Sequence, residues 1–474
     1  MQTFLFYDIE TSGLNPAFDQ VLTFAAIRTD LNLNELDRET VSIRLRKDIV
    51  PSPGAFLTHG LTYKELSQGI CEYEAAKKIH SLFNTPGTIS LGYNSLGFDD
   101  EFLRFLFYRN LLDPYSHQYA NGCGRMDILP VAVIFRVFHP GDIRWPSVEG
   151  RPSMKLELIS SENRFETSGR AHEAMSDVEA LVALSKCFIR QNQIWNYCLD
   201  FFSKARDEVR INTIGTQIKI ANHSYPLCLL ASASFGPDLN YLAPAIPIGP
   251  SSAFKNQSLW LRLDSDDILG LETGIEIEET FVVRKRYGDI PVVLPALDRF
   301  KEKLPDRIRT AVNQNKTLLD KNQTRLKAYI AYHQAFRYPI VPDVDIDAAL
   351  YQDGFFSSAE KKESRLVHQV LSEGNLSVLN RIESSRVQRL AQRIVHRNFP
   401  DITTELTGSD YHQHLKRLSG QEGTDPVLGY RGDTKFSKPQ AMEELDTIRA
   451  GSDQPNPAQS SMLKWLDQYL QDNF

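Results

Sequence analysis

The sequence predicts a mixed α/β amino-terminal region, a small β-rich middle region and a helical carboxyl-terminal region. Three observations carry that reading. Up to about residue 190, strand-like and helix-like segments alternate, as in a sheet covered by helices. Between about 200 and 350, short apolar runs are divided by Pro and Gly, the pattern of a small barrel or sandwich. From about 355 the apolar spacing is almost wholly helical. A chain of 474 residues exceeds one ordinary core, and we divide it at 1–195, 200–350 and 355–474.

In order, "TFLFYDI" and "VLTFAAIRTD" read as strands separated by the turn signal "SGLNPAF". "EYEAAKKIHSLF" reads as a helix, "TISLGYN" as a strand and "DDEFLRFLFYRNLL" as a long helix. "MSDVEALVALSKCFIRQ" is a further helix, with Ala180, Leu181, Leu184 and Phe188 on one face. In the middle region, "QIKIANHSYPLCLLASASF", "SLWLRLD" and "FVVRKRYGDIPVVLPAL" are short strands, followed by one helix over 306–336. The chain ends on the helical "SSMLKWLDQYLQDNF". No internal repeat or low-complexity linker interrupts it.

Composition excludes several classes. With 42% hydrophobic and 24% charged residues the chain is an ordinary globular one. No apolar run approaches a membrane span, and no basic segment precedes the short apolar run at the start. A cytoplasmic location without a membrane contact is the expectation. The five cysteines form no CxxC pair, so neither a zinc knuckle nor a disulfide framework is expected. A net charge of −7 excludes a generally basic, nucleic-acid-coating protein but leaves room for a local basic groove.

The chemistry starts at "FLFYDIETSG", residues 4–13. Strand alternation places Asp8 and Glu10 on one face, beside a buried run. Paired carboxylates repel, and desolvation sharpens the repulsion. Two further stretches explain the pair: in "GYNSLGFDDEFL" Asp99 opens a helix directly after a strand, and in "AHEAMSDVEA" His172 and Asp177 lie five residues apart. Four acids at the ends of separate elements are stable together only with cations, and hard oxygen ligands suit Mg²⁺ or Mn²⁺. Two such ions about 4 Å apart serve in-line attack on a phosphodiester. His172, neutral near pH 7, is placed to take the proton from the attacking water. Taken singly, an exposed strand end, an Asp N-cap and a solvated helix start explain these residues better. Their order and joint context favour the metal site.

These three stretches resemble the motifs of the DEDD superfamily of 3′→5′ exonucleases, in the subclass whose third motif is His-x₄-Asp. The resemblance is closer still to the bacterial exonuclease I family, through "FAAIRTD", "IHSLF", "FYRN" with "DPY", "WP", "PS" before "KLE", "GFFS" and "RNFP". It implies an RNase H-like exonuclease domain, an SH3-like barrel domain and a helical carboxyl-terminal domain that together clamp a strand. It also implies that Asp8, Glu10, Asp99 and Asp177 ligate two Mg²⁺ ions, with Mn²⁺ able to substitute, and that His172 is the general base.

By the same resemblance, Thr11 and Gly13 bring backbone groups near the terminal nucleotide, and Asn94 and Phe98 pack its base and sugar. Arg104, Tyr115 and Tyr119 match positions along the strand's path, where aromatics stack on unpaired bases. Lys155 stands where the family commonly has Arg, keeping the charge but not the bidentate fork. Lys204 and Arg206 lie where the first two regions join. Arg386, Arg389, Arg393 and Arg397 form one helical stripe, read either as a solvated face or as a phosphate-binding arm. Arg104, Lys204 and Arg206 carry the same two readings. The implied partners are single-stranded DNA and the acidic, Phe-ending tail of single-stranded DNA-binding protein, whose pocket the sequence does not assign; a monomer is expected. The expected function is degradation of single-stranded DNA to nucleoside 5′-monophosphates in repair and recombination. An RNA-trimming relative and a non-catalytic single-strand clamp are the alternatives.

Overall fold

The computed structural model describes residues 1–169, 173–266, 268–269, 281–374, 379, 381–399, 409–420, 423–451 and 455–474. The chain clusters into two compact units, each built from separate stretches of sequence. The first joins Met1–Arg125, Thr167–Glu179 and Ile340–Phe474; the second joins Met126–Glu166 and Ala180–Pro339.

The first unit is organised on a five-stranded sheet of order β3-β2-β1-β4-β5. Its strands are β1 (Thr3–Thr11), β2 (Val21–Thr29), β3 (Glu35–Ser42), β4 (Thr88–Gly92) and β5 (Gly124–Asp127). The central strand β1 pairs antiparallel with β2 and parallel with β4. Its alternation sorts the chemistry by face. Leu5, Tyr7 and Ile9 enter a core with Ala76, Ile79 and Phe83 of the helix Glu72–Phe83 and with Phe102, Leu106 and Phe107 of the helix Asp99–Arg109. Asp8 and Glu10 therefore share the other face with Phe4 and Phe6.

The helix Asp99–Arg109 is buried from Phe102 to Arg109 because a second core receives its other side. Phe105 and Tyr108 join Val387, Leu390 and Ile394 of the helix Ser385–Asn398 and Leu463, Leu466 and Leu470 of the last helix, Pro457–Asn473. The carboxyl-terminal helices are thus part of the core behind the amino-terminal sheet.

The second unit holds a five-stranded antiparallel sheet in the order Val282–Arg286, Gln257–Arg262, Leu242–Pro250, Cys228–Ala231, Val292–Pro295. One face packs Ile246, Leu259 and Leu261 against Leu319, Leu326 and Tyr329. Those last three come from two helices, Asp306–Lys321 and Gln323–Ala335, where one helix was expected. The break is Asn322, at φ −119° and ψ 44°, whose side chain and backbone N–H both donate to the Leu318 carbonyl. The strand Leu242–Pro250 is not among the expected segments, and it contains Pro244, Pro247 and Pro250, which cannot donate to a ladder. It is accommodated by a register shift between Pro247 and Gly249, with Gly249 at φ 102°.

All five cysteines are unpaired thiols. Among the described residues, no helix is long and apolar enough to cross a membrane.

Candidate metal centre

Parallel pairing between β1 and β4 runs from Thr3↔Thr88 to Phe6↔Leu91 and then stops. Asp8 and Glu10 follow immediately, on the stretch of β1 that has lost its β4 neighbour. The carboxyl end of a parallel strand is where open α/β sheets assemble their sites. A register shift at Glu10/Thr11 turns the chain away just beyond. On the neighbouring strand the turn is tight: a Cβ on Gly92 would meet the Ser95 Cβ at 2.4 Å, and Asn94 is left-handed at φ 60°. That turn delivers Asp99 as the first residue of its helix, with Phe98 rather than Asp99 in the N-cap position. Asp177 enters from the first turn of the helix Ala174–Phe188.

The carboxylates of Asp8, Glu10 and Asp177 converge, with one oxygen of each within 4.8 Å of the others. Asp99 is buried and is the strongest charged neighbour of Asp8. Burial first, then Asp99, Glu10 and Asp177, push the Asp8 carboxyl well above the usual carboxylate range. Burial, Asp177 and Asp99 push Glu10 up to about 8. Half-buried acids that cannot all ionise beside one another form a donor set that hard divalent cations fit, because each cation replaces repulsion with attraction.

The remaining expected residues scatter. Thr11 is buried and its hydroxyl donates to the Gly13 carbonyl at 2.7 Å. A Cβ on Gly13 would meet Asp19 Oδ2 at 2.4 Å, so only glycine fits there. Asn94 is exposed and Phe98 half-buried, its ring centroid 4.8 Å from that of Phe102. Tyr115 lies edge-on to Phe355 at 5.2 Å, and Tyr119 is 68% exposed. Arg104 is 3% exposed and paired with Asp100, Glu101 and the Tyr351 hydroxyl. Lys155 and Lys204 are exposed residues of the second unit, and Lys155 lies 3.7 Å from Glu157. Arg206 pairs with Asp200. His172 falls outside the described residues.

The arginine stripe is corrected for Arg393 and Arg397, which form neither a solvated face nor a phosphate arm. Arg393 pairs with Asp345 and Asp347, Arg397 with Asp48 and Asp347, and Arg386 with Glu360. The side chains of Arg393 and Arg397 are 3% and 2% exposed; only Arg389 of the four faces solvent. Their partners come from remote positions, which helical periodicity does not report.

Sequence reasoning also passed over the shoring of the first motif. The buried Asp19 accepts from the Asn15 backbone N–H at 2.8 Å and from the Ser12 hydroxyl, closing the loop that follows Glu10. The signal available was an Asx-type turn residue inside "GLNPAFD".

Comparison with known proteins gives this geometry a family. Residues 5–185 match the family model for an exonuclease, and residues 344–473 match that for the exonuclease I C-terminal domain. Exodeoxyribonuclease I of Escherichia coli K12 is 32% identical over 99% of this chain and 98% of its own length.

The chain belongs to the exodeoxyribonuclease I family.

A second family member, from Buchnera aphidicola subsp. Baizongia pistaciae, is 32% identical over 78% of each chain. The crystal structure of E. coli exonuclease I in complex with a dT13 oligonucleotide superposes with TM-score 0.82 at 26% identity, covering 100% of both chains. A zinc-bound form of the E. coli enzyme–single-stranded DNA complex superposes with TM-score 0.80 at 27% identity, covering 100% of this chain and 99% of that one. The α/β fold with an exonuclease domain and a C-terminal domain is therefore the family's fold.

Proposed function

We propose that the protein is a Mg²⁺-dependent 3′→5′ exonuclease that trims single-stranded DNA to nucleoside 5′-monophosphates, as a cytoplasmic monomer serving repair and recombination. One observation carries the reading: in a chain of the exodeoxyribonuclease I family, the Asp8, Glu10 and Asp177 carboxylates converge beside Asp99. A pure single-strand clamp gains nothing from clustered carboxylates that repel phosphate.

In this reading Asp8, Glu10, Asp99 and Asp177 hold two ions. When bound, the ions supply charge neutralisation and Lewis acidity at the scissile phosphodiester. His172 takes the proton from the attacking water. Thr11 and Gly13 present backbone groups to the terminal nucleotide, and Asn94 and Phe98 pack against its sugar and base. Tyr115 and Tyr119 offer faces for unpaired bases, and Lys155 and Lys204 offer charge to phosphates. Single-stranded DNA is the substrate, and the acidic, Phe-ending tail of single-stranded DNA-binding protein is a partner. The three chain ranges 1–195, 200–350 and 355–474 are proposed as nuclease, SH3-like barrel and helical domains.

The test is a nuclease assay on matched DNA and RNA strands, with Mg²⁺ and with EDTA. Expected are mononucleotide release from an unblocked 3′ end of single-stranded DNA, arrest by a 3′-phosphorothioate cap, resistance of a blunt duplex, and silence in EDTA. Preferred cleavage of the RNA strand would transfer the assignment to an exoribonuclease, and equal digestion of capped strands would overturn the 3′→5′ polarity.

A further inference from the structure

The first turn of the helix Asp99–Arg109 has an anchoring problem. It must hold Asp99 towards Asp8, Glu10 and Asp177, all of which repel it. It receives no side-chain cap, since Phe98 occupies that position. A helix start with orphan N–H groups and no cap frays readily.

What holds the turn lies one and two residues further along. Asp100 is 1% exposed and accepts from Arg104 Nη2 at 2.6 Å and from Arg125 Nη1, with His117 Nε2 at 3.4 Å. Arg125 stands on β5, so this pair ties the helix start to the sheet. Glu101 accepts from Arg104 and from the hydroxyl of Tyr351, and Arg104 Nη1 reaches that hydroxyl at 3.3 Å. Tyr351 is held in turn by the rings of Phe105 and Tyr430, at centroid distances of 5.5 and 5.0 Å. One helical turn is thus clamped on one side from the sheet and on the other from the carboxyl-terminal stretch.

We propose that Arg125 and Tyr351, acting through Asp100, Arg104 and Glu101, are positioning residues that hold Asp99 at the metal site. The inference deepens the metal-site reading above and rests on it. Neither residue touches the ions; each acts by fixing the rotation of the turn that carries a ligand. Mg²⁺ demands near-ideal ligand placement, so a turn free to rotate weakens binding before it disturbs the fold.

The experiment measures Mn²⁺ binding to the DNA-free protein by electron paramagnetic resonance, together with steady-state kinetics and thermal melting. Tyr351→Phe removes one oxygen and keeps both ring contacts. Arg125→Met removes the sheet-side tie, and Arg125→Lys restores its charge. Expected for Tyr351→Phe and Arg125→Met is a dissociation constant for Mn²⁺ raised by about three- to tenfold, below the effect of losing a direct partner of a ligand. The KM for single-stranded DNA should change by less than about twofold, and Arg125→Lys should recover part of the loss. Parental Mn²⁺ binding in Tyr351→Phe and Arg125→Met, with melting lowered, overturns the proposal and leaves both residues structural. Asp99→Ala separates the two layers. If it too binds Mn²⁺ as the parent does, the metal-site reading falls along with the positioning. If it binds weakly while Tyr351→Phe and Arg125→Met bind normally, the positioning alone falls.

Discussion

At the scale of single residues, the strongest statement concerns Glu10. Its carboxyl is pushed from an ordinary 4.5 up to about 8 by burial, Asp177 and Asp99. A folded-state value above the unfolded one means that the native protein binds this proton more tightly. The stabilising effect is full below about pH 4.5 and is lost as pH rises through 8. Without metal, Glu10→Gln should therefore raise the stability at pH 8 by about 2 kcal/mol, less than the full shift because the site is only partly enclosed. The gain should vanish at pH 4, and added Mg²⁺ should stabilise the parent more than the variant. Thermal melts at two pH values, with and without Mg²⁺, check all three. Asp8→Ala, Asp99→Ala or Asp177→Ala should nearly abolish cleavage with the fold kept; one such variant at the parental rate sinks the metal assignment. These acids were legible because each lies in a short local motif whose neighbours set its element. Arg104 was not: its partners Asp100 and Glu101 lie one helical turn before it, but only the packing of the helix between two cores shows that it is buried.

At the scale of elements, the helix Ser385–Asn398 teaches the sharper lesson. Its apolar side follows the helical period, and Val387, Leu390 and Ile394 are all buried. Its arginines were misread because Asp48, Asp345 and Asp347 reach them from elsewhere in the chain. Arg397→Gln leaves two buried carboxylates short of a counter-charge and should cost about 3–5 kcal/mol, whereas Arg389→Gln at the exposed position should stay within about 0.5 kcal/mol. Denaturant titration measures both. Burial would raise Asp345 and Glu72, but Arg393 beside the first, and Arg109 and Arg46 beside the second, hold each at about 2. Depressed values of this kind give stability that is present above the usual carboxylate range and lost as pH falls from about 4.5 towards 2. Glu72→Gln should flatten that acid limb. The helix Ile128–Phe138 escaped the reading for the opposite reason: "ILPVAVIFRVF" is apolar almost all round, so no period marks it.

At the scale of the whole molecule, residues 1–125 and 340–474 fold as one compact unit although 214 residues intervene between Arg125 and Ile340. All four candidate ligands lie in that unit, yet two thirds of the core that Phe105 and Tyr108 join is carboxyl-terminal among the described residues. A fragment ending at residue 339 loses Val387, Leu390, Leu463 and Leu466 from behind Phe105 and Tyr108. It also strands Asp48 without Arg397 and Lys435. The fragment should lose the cooperative melt of the first unit, keep that of the second, and bind no Mn²⁺, as circular dichroism and resonance titration would report. A well-folded, metal-binding fragment would refute the shared core.

The buried charge cluster also limits how this lineage can be recombined. Arg46, Asp48, Glu72 and Arg109 are supplied by one end of the gene, and Asp345, Asp347, Arg393 and Arg397 by the other. A chimaera that splices the carboxyl-terminal helices of a distant relative onto this amino-terminal half inherits half a set of charges. It should express as a folded protein only when the donor brings a matching complement of acids and arginines. The two ends of the reading frame are therefore expected to drift together, through paired substitutions rather than single ones.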